Sequence, residues 1–144
     1  MYSAIIRQLV TKDHTFGDDE LPFDRVFIDV RIDDGASDPD AHPPTGPRLT
    51  AEEQAAILRE LADLPRVEFV QDPDSVVVGE KSCAQVKGNG VLITLGPISG
   101  GSHRVTVPND LFFACLGGQW LTYVLESAKG DWQVVGTKGG IAIS

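Results

Sequence analysis

The first apolar pattern along the chain predicts a short amphipathic helix. Between positions 1 and 10, apolar residues recur at intervals of three and four, while Arg7 and Gln8 fall on the opposite side. We expect the helix to end where the polar segment at 11–17 begins. The residues on its apolar face are Tyr2, Ile5, Ile6 and Leu9.

The second helical pattern has a marked start and a marked end. Thr50 and Glu53 have the spacing of a capping box, in which each side chain satisfies a backbone N–H of the first turn. Pro65 disfavours helical geometry at the residue before it, so the helix is expected to run to about Leu64. Its predicted buried stripe consists of Ile57, Leu58, Leu61 and Leu64.

The other apolar segments have the length and composition of β-strands. Valine, isoleucine, phenylalanine and threonine are frequent in them, and segments rich in glycine, proline or aspartate separate them. The connection at 127–131 is short enough to predict a hairpin between the last two strands. The predicted strands lie at 25–32, 66–70, 75–78, 90–96, 103–107, 119–126 and 132–137.

The order of these elements predicts an α+β fold. A helix, a strand and a second helix come first, and only strands follow. We therefore expect an antiparallel β-sheet that ends in a C-terminal meander, with the two helices packed on one face. A chain of 144 residues has the length of one domain, so residues 1–144 are predicted to form a single domain.

Charge and hydropathy narrow the classes of partner. The chain has 21 acidic and 12 basic residues, and its formal charge is −9. Nucleic acid is therefore disfavoured, which leaves an unknown protein or a small-molecule ligand as partner. No apolar run reaches the roughly 18 residues of a membrane span, and no signal peptide is visible. We expect a soluble protein, cytoplasmic as given or exported if an N-terminal signal was removed, and the oligomeric state stays open.

The two cysteines, Cys83 and Cys115, bear on the compartment. They lack the spacing of a zinc site, and no histidine lies near them in sequence. We predict two free thiols that act as small apolar residues. The alternative is a disulfide, which would accompany export.

Several segments share features with a known group of proteins. Residues 90–96 read Gly-Val-Leu-Ile-Thr-Leu-Gly, residues 120–126 Trp-Leu-Thr-Tyr-Val-Leu-Glu, residues 132–137 Trp-Gln-Val-Val-Gly-Thr, and residues 141–144 Ile-Ala-Ile-Ser. Together with Ile-Arg-Gln-Leu at 6–9 and Asp-His-Thr-Phe-Gly at 13–17, they resemble a family of small uncharacterised bacterial proteins. The resemblance implies no established activity. The last hairpin is also similar to the end of NTF2-like cones, which are a distant alternative for the fold.

The sequence lacks several motifs that mark enzymes and ion sites. The Gly-x-Lys-Ser at 79–82 has no earlier glycine at the spacing of a phosphate-binding loop. In the acidic segment near residue 40, Pro43 stands where a calcium loop needs glycine. There is no Gly-x-Ser-x-Gly segment. We predict no metal and no cofactor, while the catalytic residues, and whether the chain is an enzyme at all, stay unknown.

The densest group of ionisable residues follows the first helix, in the loop at 13–24. We predict a binding site there, with Arg7 turning back to hold a carboxylate of the loop or of a ligand. The alternative is a solvated connection whose aspartates make local turns. The residues proposed for this site are Arg7, Asp13, His14, Thr15 and Asp18.

His103 is the remaining candidate for the site. On a period of two it shares a face with Val105 and Val107, which predicts that its side chain points inward. A buried histidine can act as a general base, and the alternative is a hydrogen-bonded residue of the core or of a strand end.

Three functions fit these features. The first is a non-catalytic binding or accessory domain, which the lack of a catalytic motif favours. The second is a small hydrolase or isomerase with a pocket under the sheet. The third is an acidic inhibitor or immunity protein that covers a basic partner.

Overall fold

A computed structural model of the chain describes residues 1–14, 23–39, 46–80, 82–114 and 117–143. Its two α-helices are α1 (Tyr2–Thr11) and α2 (Ala51–Glu60), and two short 3₁₀ helices lie at Pro73–Val76 and Lys87–Asn89. The strands are β1 (Arg25–Asp29), β2 (Val67–Val70), β3 (Val77–Val78), β4 (Gln85–Val86), β5 (Gly90–Leu95), β6 (Ser99–Gly100), β7 (Arg104–Phe112), β8 (Gly118–Ala128), β9 (Asp131–Thr137) and β10 (Ala142–Ile143). In the part of the chain so described, no helix is both long and apolar enough to cross a membrane.

The main sheet has the strand order β10-β8-β7-β5-β1-β2, with β6 paired to β7 and β9 paired to β8. The C-terminal meander β7-β8-β9 is antiparallel, as predicted. Lys129 and Gly130 join β8 to β9 with positive φ angles of 53° and 86°, which suit the twist of a two-residue hairpin. The sheet is mixed, however, because β1 runs parallel to both β2 and β5.

Both helices pack on one face of this sheet, and the predicted α+β class is confirmed. The buried face of α1 consists of Ile5, Ile6, Leu9 and Val10. The capping box of Thr50 and Glu53 starts α2, with N···O distances of 3.1 and 2.9 Å. The helix ends at Glu60, and turns continue to Leu64. Ile57, Leu61 and Leu64 are buried, but the prediction for Leu58 is wrong, since it is 36% exposed.

The opposite face of the sheet is covered at one end by the β3-β4 ribbon. Phe27 and Leu92 point to this side and pack with Val76 and Val86 in a second, smaller apolar cluster. The Val86 N–H donates to the carbonyl of Phe113 just after β7, with an N···O distance of 2.9 Å. The ribbon is therefore joined to the end of β7 as well as to the sheet beneath it.

Cys83 lies in the connection between the two strands of this ribbon. It is disulfide-bonded, so the prediction of a free thiol is wrong for this residue. The other cysteine of the sequence, Cys115, lies outside the described residues. Gln85 pairs with Ala114 in an isolated antiparallel bridge, which brings the segment after Cys83 to the end of β7. The long-range pairing that creates this proximity has no local sequence signal.

Candidate functional site

A cavity of about 340 Å³ lies where the end of α1 meets β8 and β10. We call it the α1-end pocket. Its size is at the lower end of the range for small-ligand sites. It is lined by Lys12, Asp13, His14, Gln119, Leu121, Thr137, Ile141 and Ile143.

The carboxylate of Asp13 has a fixed position at the wall of this pocket. Its backbone N–H donates to the carbonyl of Gln8 at 2.9 Å, which holds the residue at the end of α1. Its Oδ2 accepts hydrogen bonds from the Tyr123 hydroxyl at 2.7 Å and from Gln8 Nε2 at 3.1 Å. Gln119 Nε2 donates to the carbonyl oxygen of Asp13. Helix α1 and strand β8 together therefore orient this one acidic residue.

Tyr123 acts in this arrangement as a proton-bearing donor. Its side chain is fully buried, and burial raises the pKa of its hydroxyl. The hydrogen bond to Asp13 and the negative charge of Asp13 raise this pKa further. The hydroxyl keeps its proton at every physiological pH. It positions Asp13 and does not serve as a base.

His14 and Lys12 complete the polar wall of the pocket. His14 is only 8% exposed, and its ring meets the ring of Phe23 edge to face at a centroid distance of 6.0 Å. Lys12 is exposed at the C-cap of α1. The pocket therefore places a carboxylate, an imidazole and an ammonium group from three consecutive residues along one wall.

The pocket also has an apolar part. Leu121 is buried at its base, while Ile141 and Ile143 are 51% and 65% exposed near the short strand β10. The pocket thus combines exposed isoleucines with a hydrogen-bonded carboxylate. Many ligand sites have this composition, an apolar surface with a few polar groups in fixed positions.

Arg7 forms the predicted two-pronged hydrogen bond, but with a different partner. Its two terminal nitrogens lie 2.7 and 2.8 Å from the carboxylate oxygens of Asp63, and its NH2 group also donates to the carbonyl of Glu60. The hydrogen bond from Arg7 lowers the pKa of Asp63 to about 2. Among the described residues Arg7 therefore joins α1 to the end of α2 and takes no part in the pocket.

Three candidate residues remain. The structure contradicts the prediction for one of them and does not describe the other two. His103 is exposed in the turn before β7, so its predicted inward orientation is wrong. Thr15 and Asp18 lie outside the described residues. Of the six candidates, the structure brings Asp13 and His14 together in the pocket.

Sequence reasoning missed the residues that hold Asp13. Gln8 was recognised only as a polar residue of α1, and Gln119 and Tyr123 only as parts of a strand. Tyr123 is 110 positions from Asp13 along the chain. The one local signal was the alternation along β8, because it places Gln119, Leu121 and Tyr123 on the same face.

A second group of carboxyl groups lies on the opposite face of the sheet. Asp110 of β7 lies opposite Thr94 of β5 and opposite Trp120 of β8 on the two neighbouring strands. The pKa of Asp110 is raised to about 8, mainly because burial disfavours the charged form. The hydrogen bond with Thr94 lowers this pKa, and the negative charges of Asp33 and Asp29 raise it. Within the described part of the chain, no three His, Cys, Asp or Glu side chains converge as metal ligands.

Comparison of the chain with protein-family models, curated proteins and solved structures gave no match. The resemblance to small bacterial proteins therefore stays a prediction, and the case for a function rests on the site.

Proposed function

We propose that this chain is a non-catalytic binding domain that holds a small ligand in the α1-end pocket. The observation that carries the proposal is the fixed carboxylate of Asp13 beside an apolar wall. Three neutral side chains, Gln8, Gln119 and Tyr123, are used to orient this residue. Of these donors Gln119 and Tyr123 are buried and Gln8 is half-buried. Several fixed donors around one acidic residue are typical of a preorganised binding group.

Two of the side chains that hold Asp13 are unavailable for catalysis. The tyrosine retains its proton, and the glutamine amide is engaged by a backbone carbonyl, so neither is available as a base or nucleophile. Besides the polar residues 12–14 and Gln119, the pocket is lined by Thr137 and by three aliphatic residues, which are Leu121, Ile141 and Ile143. This composition supports recognition of a ligand with one polar end and one apolar end.

The disulfide supports an oxidising compartment. Disulfides persist mainly in exported proteins, and cytosolic thiols are kept reduced. Because Cys83 is disulfide-bonded, we propose that the domain works outside the cytoplasm. This replaces the cytoplasmic assignment with the exported alternative.

The pocket can be tested with three small probes of equal chain length: hexylamine, hexanol and hexanoate. In ¹H–¹⁵N correlation spectra of the ¹⁵N-labelled protein, at least one probe should shift the amide signals of Asp13, Gln119 and Thr137 in a saturable way. Thr137→Phe, at an exposed position on the pocket wall, should abolish these shifts. Val135→Phe is the matched control, because Val135 is exposed on the same strand and does not line the pocket. If none of the three probes affects the pocket, or if both variants behave alike, the proposal is wrong.

A second candidate is a small hydrolase or isomerase, which the adjacent Asp13 and His14 favour as an acid–base pair. Hydrolysis of p-nitrophenyl hexanoate tests its hydrolase form. Turnover above the uncatalysed rate that Asp13→Asn and His14→Ala both remove would support the hydrolase. Turnover at the uncatalysed rate would count against a hydrolase and favour the non-catalytic binding domain.

A further inference from the structure

The position of Asp13 carries information about the charge of the ligand. The residue lies just beyond the C-terminus of α1, where the last backbone carbonyls give a partial negative charge. An acidic residue destabilises a helix at this end, whereas it would stabilise the other end. The carboxylate of Asp13 and the C-terminus of α1 together make the electrostatic potential at this side of the α1-end pocket negative.

No charged side chain in the described part of the chain makes an ion pair with Asp13, although the Lys12 ammonium group lines the same pocket. The ion pairs there join Arg7 to Asp63, Arg25 to Glu68 and Arg104 to Glu126. The Lys12 ammonium group makes no ion pair with Asp13, although it is the next residue. The donors to Asp13 Oδ2 are both neutral, and Oδ1 accepts no hydrogen bond from the described residues.

From this arrangement we infer that the α1-end pocket takes a ligand with a protonated amine on an apolar body. The ammonium group binds Asp13 Oδ1 and faces the carbonyl end of α1, and the apolar body lies along Leu121, Ile141 and Ile143. The inference rests on the proposed function, which it deepens by naming the ligand class. The net charge of −9 acts in the same direction, because it draws cations towards the protein.

The comparison of hexylamine with hexanol and hexanoate by calorimetry tests the inference. Hexylamine should bind more tightly than either by about tenfold or more, the size of effect typical of a charge-assisted hydrogen bond. Asp13→Asn should remove this preference, since the amide keeps an acceptor for Tyr123 but loses the charge. Asp131→Asn is the matched control, because Asp131 is exposed at the start of β9 and does not line the pocket. It should keep the preference.

A measurement on the unmodified protein covers the case in which Asp13→Asn fails to fold. Hexylamine affinity should fall as sodium chloride rises from 20 to 500 mM, and hexanol affinity should not, because salt screens charge pairs. Equal affinity for the amine and the alcohol, or equal salt dependence, would overturn the amine inference and leave the binding pocket standing. If none of the three probes binds the pocket, the proposed function itself fails, so the two failures are distinguishable.

Discussion

The carboxyl group of Asp110 gives a quantitative test of the structure, because its burial couples folding to pH. Its pKa is 3.8 without the protein environment and about 8 in the fold. Between these values the unfolded chain releases a proton that the folded chain retains, so the contribution of Asp110 to stability is most favourable at low pH and falls as the pH rises towards 8. Above that pH both states are ionised, and this contribution no longer changes.

The size of the effect follows from the interval between 3.8 and neutral pH. At pH 7 that interval of roughly 3 pH units corresponds to about 4 kcal/mol. Asp110 is only partly buried, and water that reaches it reduces the penalty. We therefore expect Asp110→Asn, which stays neutral at every pH and can still accept the hydrogen bond from Thr94, to stabilise the protein by about 2–4 kcal/mol at pH 7.

Urea unfolding under non-reducing conditions at pH 4, 5.5, 7 and 8 measures this difference. The gain from Asp110→Asn should be near zero at pH 4 and should grow up to pH 8. Asp29 and Asp33 also face Asp110, so part of the pH dependence of the parent protein will persist in the variant. If the variant and the parent differ by the same amount at every pH, the Asp110 carboxyl is not desolvated and the reasoning fails.

Three further predictions concern the framework around the site. Thr50→Ala removes one half of the capping box and should lower the free energy of unfolding by about 1 kcal/mol, as measured in urea; unchanged stability would mean that the box does not hold α2. Trp132 packs partly buried against the main core, so Trp132→Ala should lower the melting temperature by about 5 °C in calorimetry, and a shift within one degree would show that this packing is not stabilising. Thiol titration of the unfolded, non-reduced protein should count no free thiol, and a count of two would contradict the disulfide at Cys83 and the exported compartment.

The elements that the sequence predicted correctly carry their signals locally. The capping box at Thr50 depends on residues three positions apart, and the fully buried strand β5 depends on a continuous apolar run. The β8-β9 hairpin depends on a short turn. In each case the physical cause and the structure it produces lie within about ten residues.

The features that sequence reasoning missed depend on distant pairings. Periodicity indicates which face of a strand is buried, but it does not indicate which strand lies beside it, so the parallel partners of β1 were not foreseen. The disulfide at Cys83 was not foreseen for the same reason, because it depends on which distant segments lie side by side. In the site, the ionisable residues after α1 indicated Asp13 and His14, but only the fold shows that Tyr123 orients Asp13 and that Arg7 belongs to a different contact.

The measurement that tests the central claim most directly is the location of bound hexylamine. Intermolecular nuclear Overhauser effects between the hexyl chain and protein methyl groups report distances of a few ångströms. The α1-end pocket predicts such effects to the methyl groups of Leu121, Ile141 and Ile143. Effects confined to Val76 and Val86 on the other face of the sheet, or no effects from a probe that binds, would contradict the assignment of this pocket as the binding site.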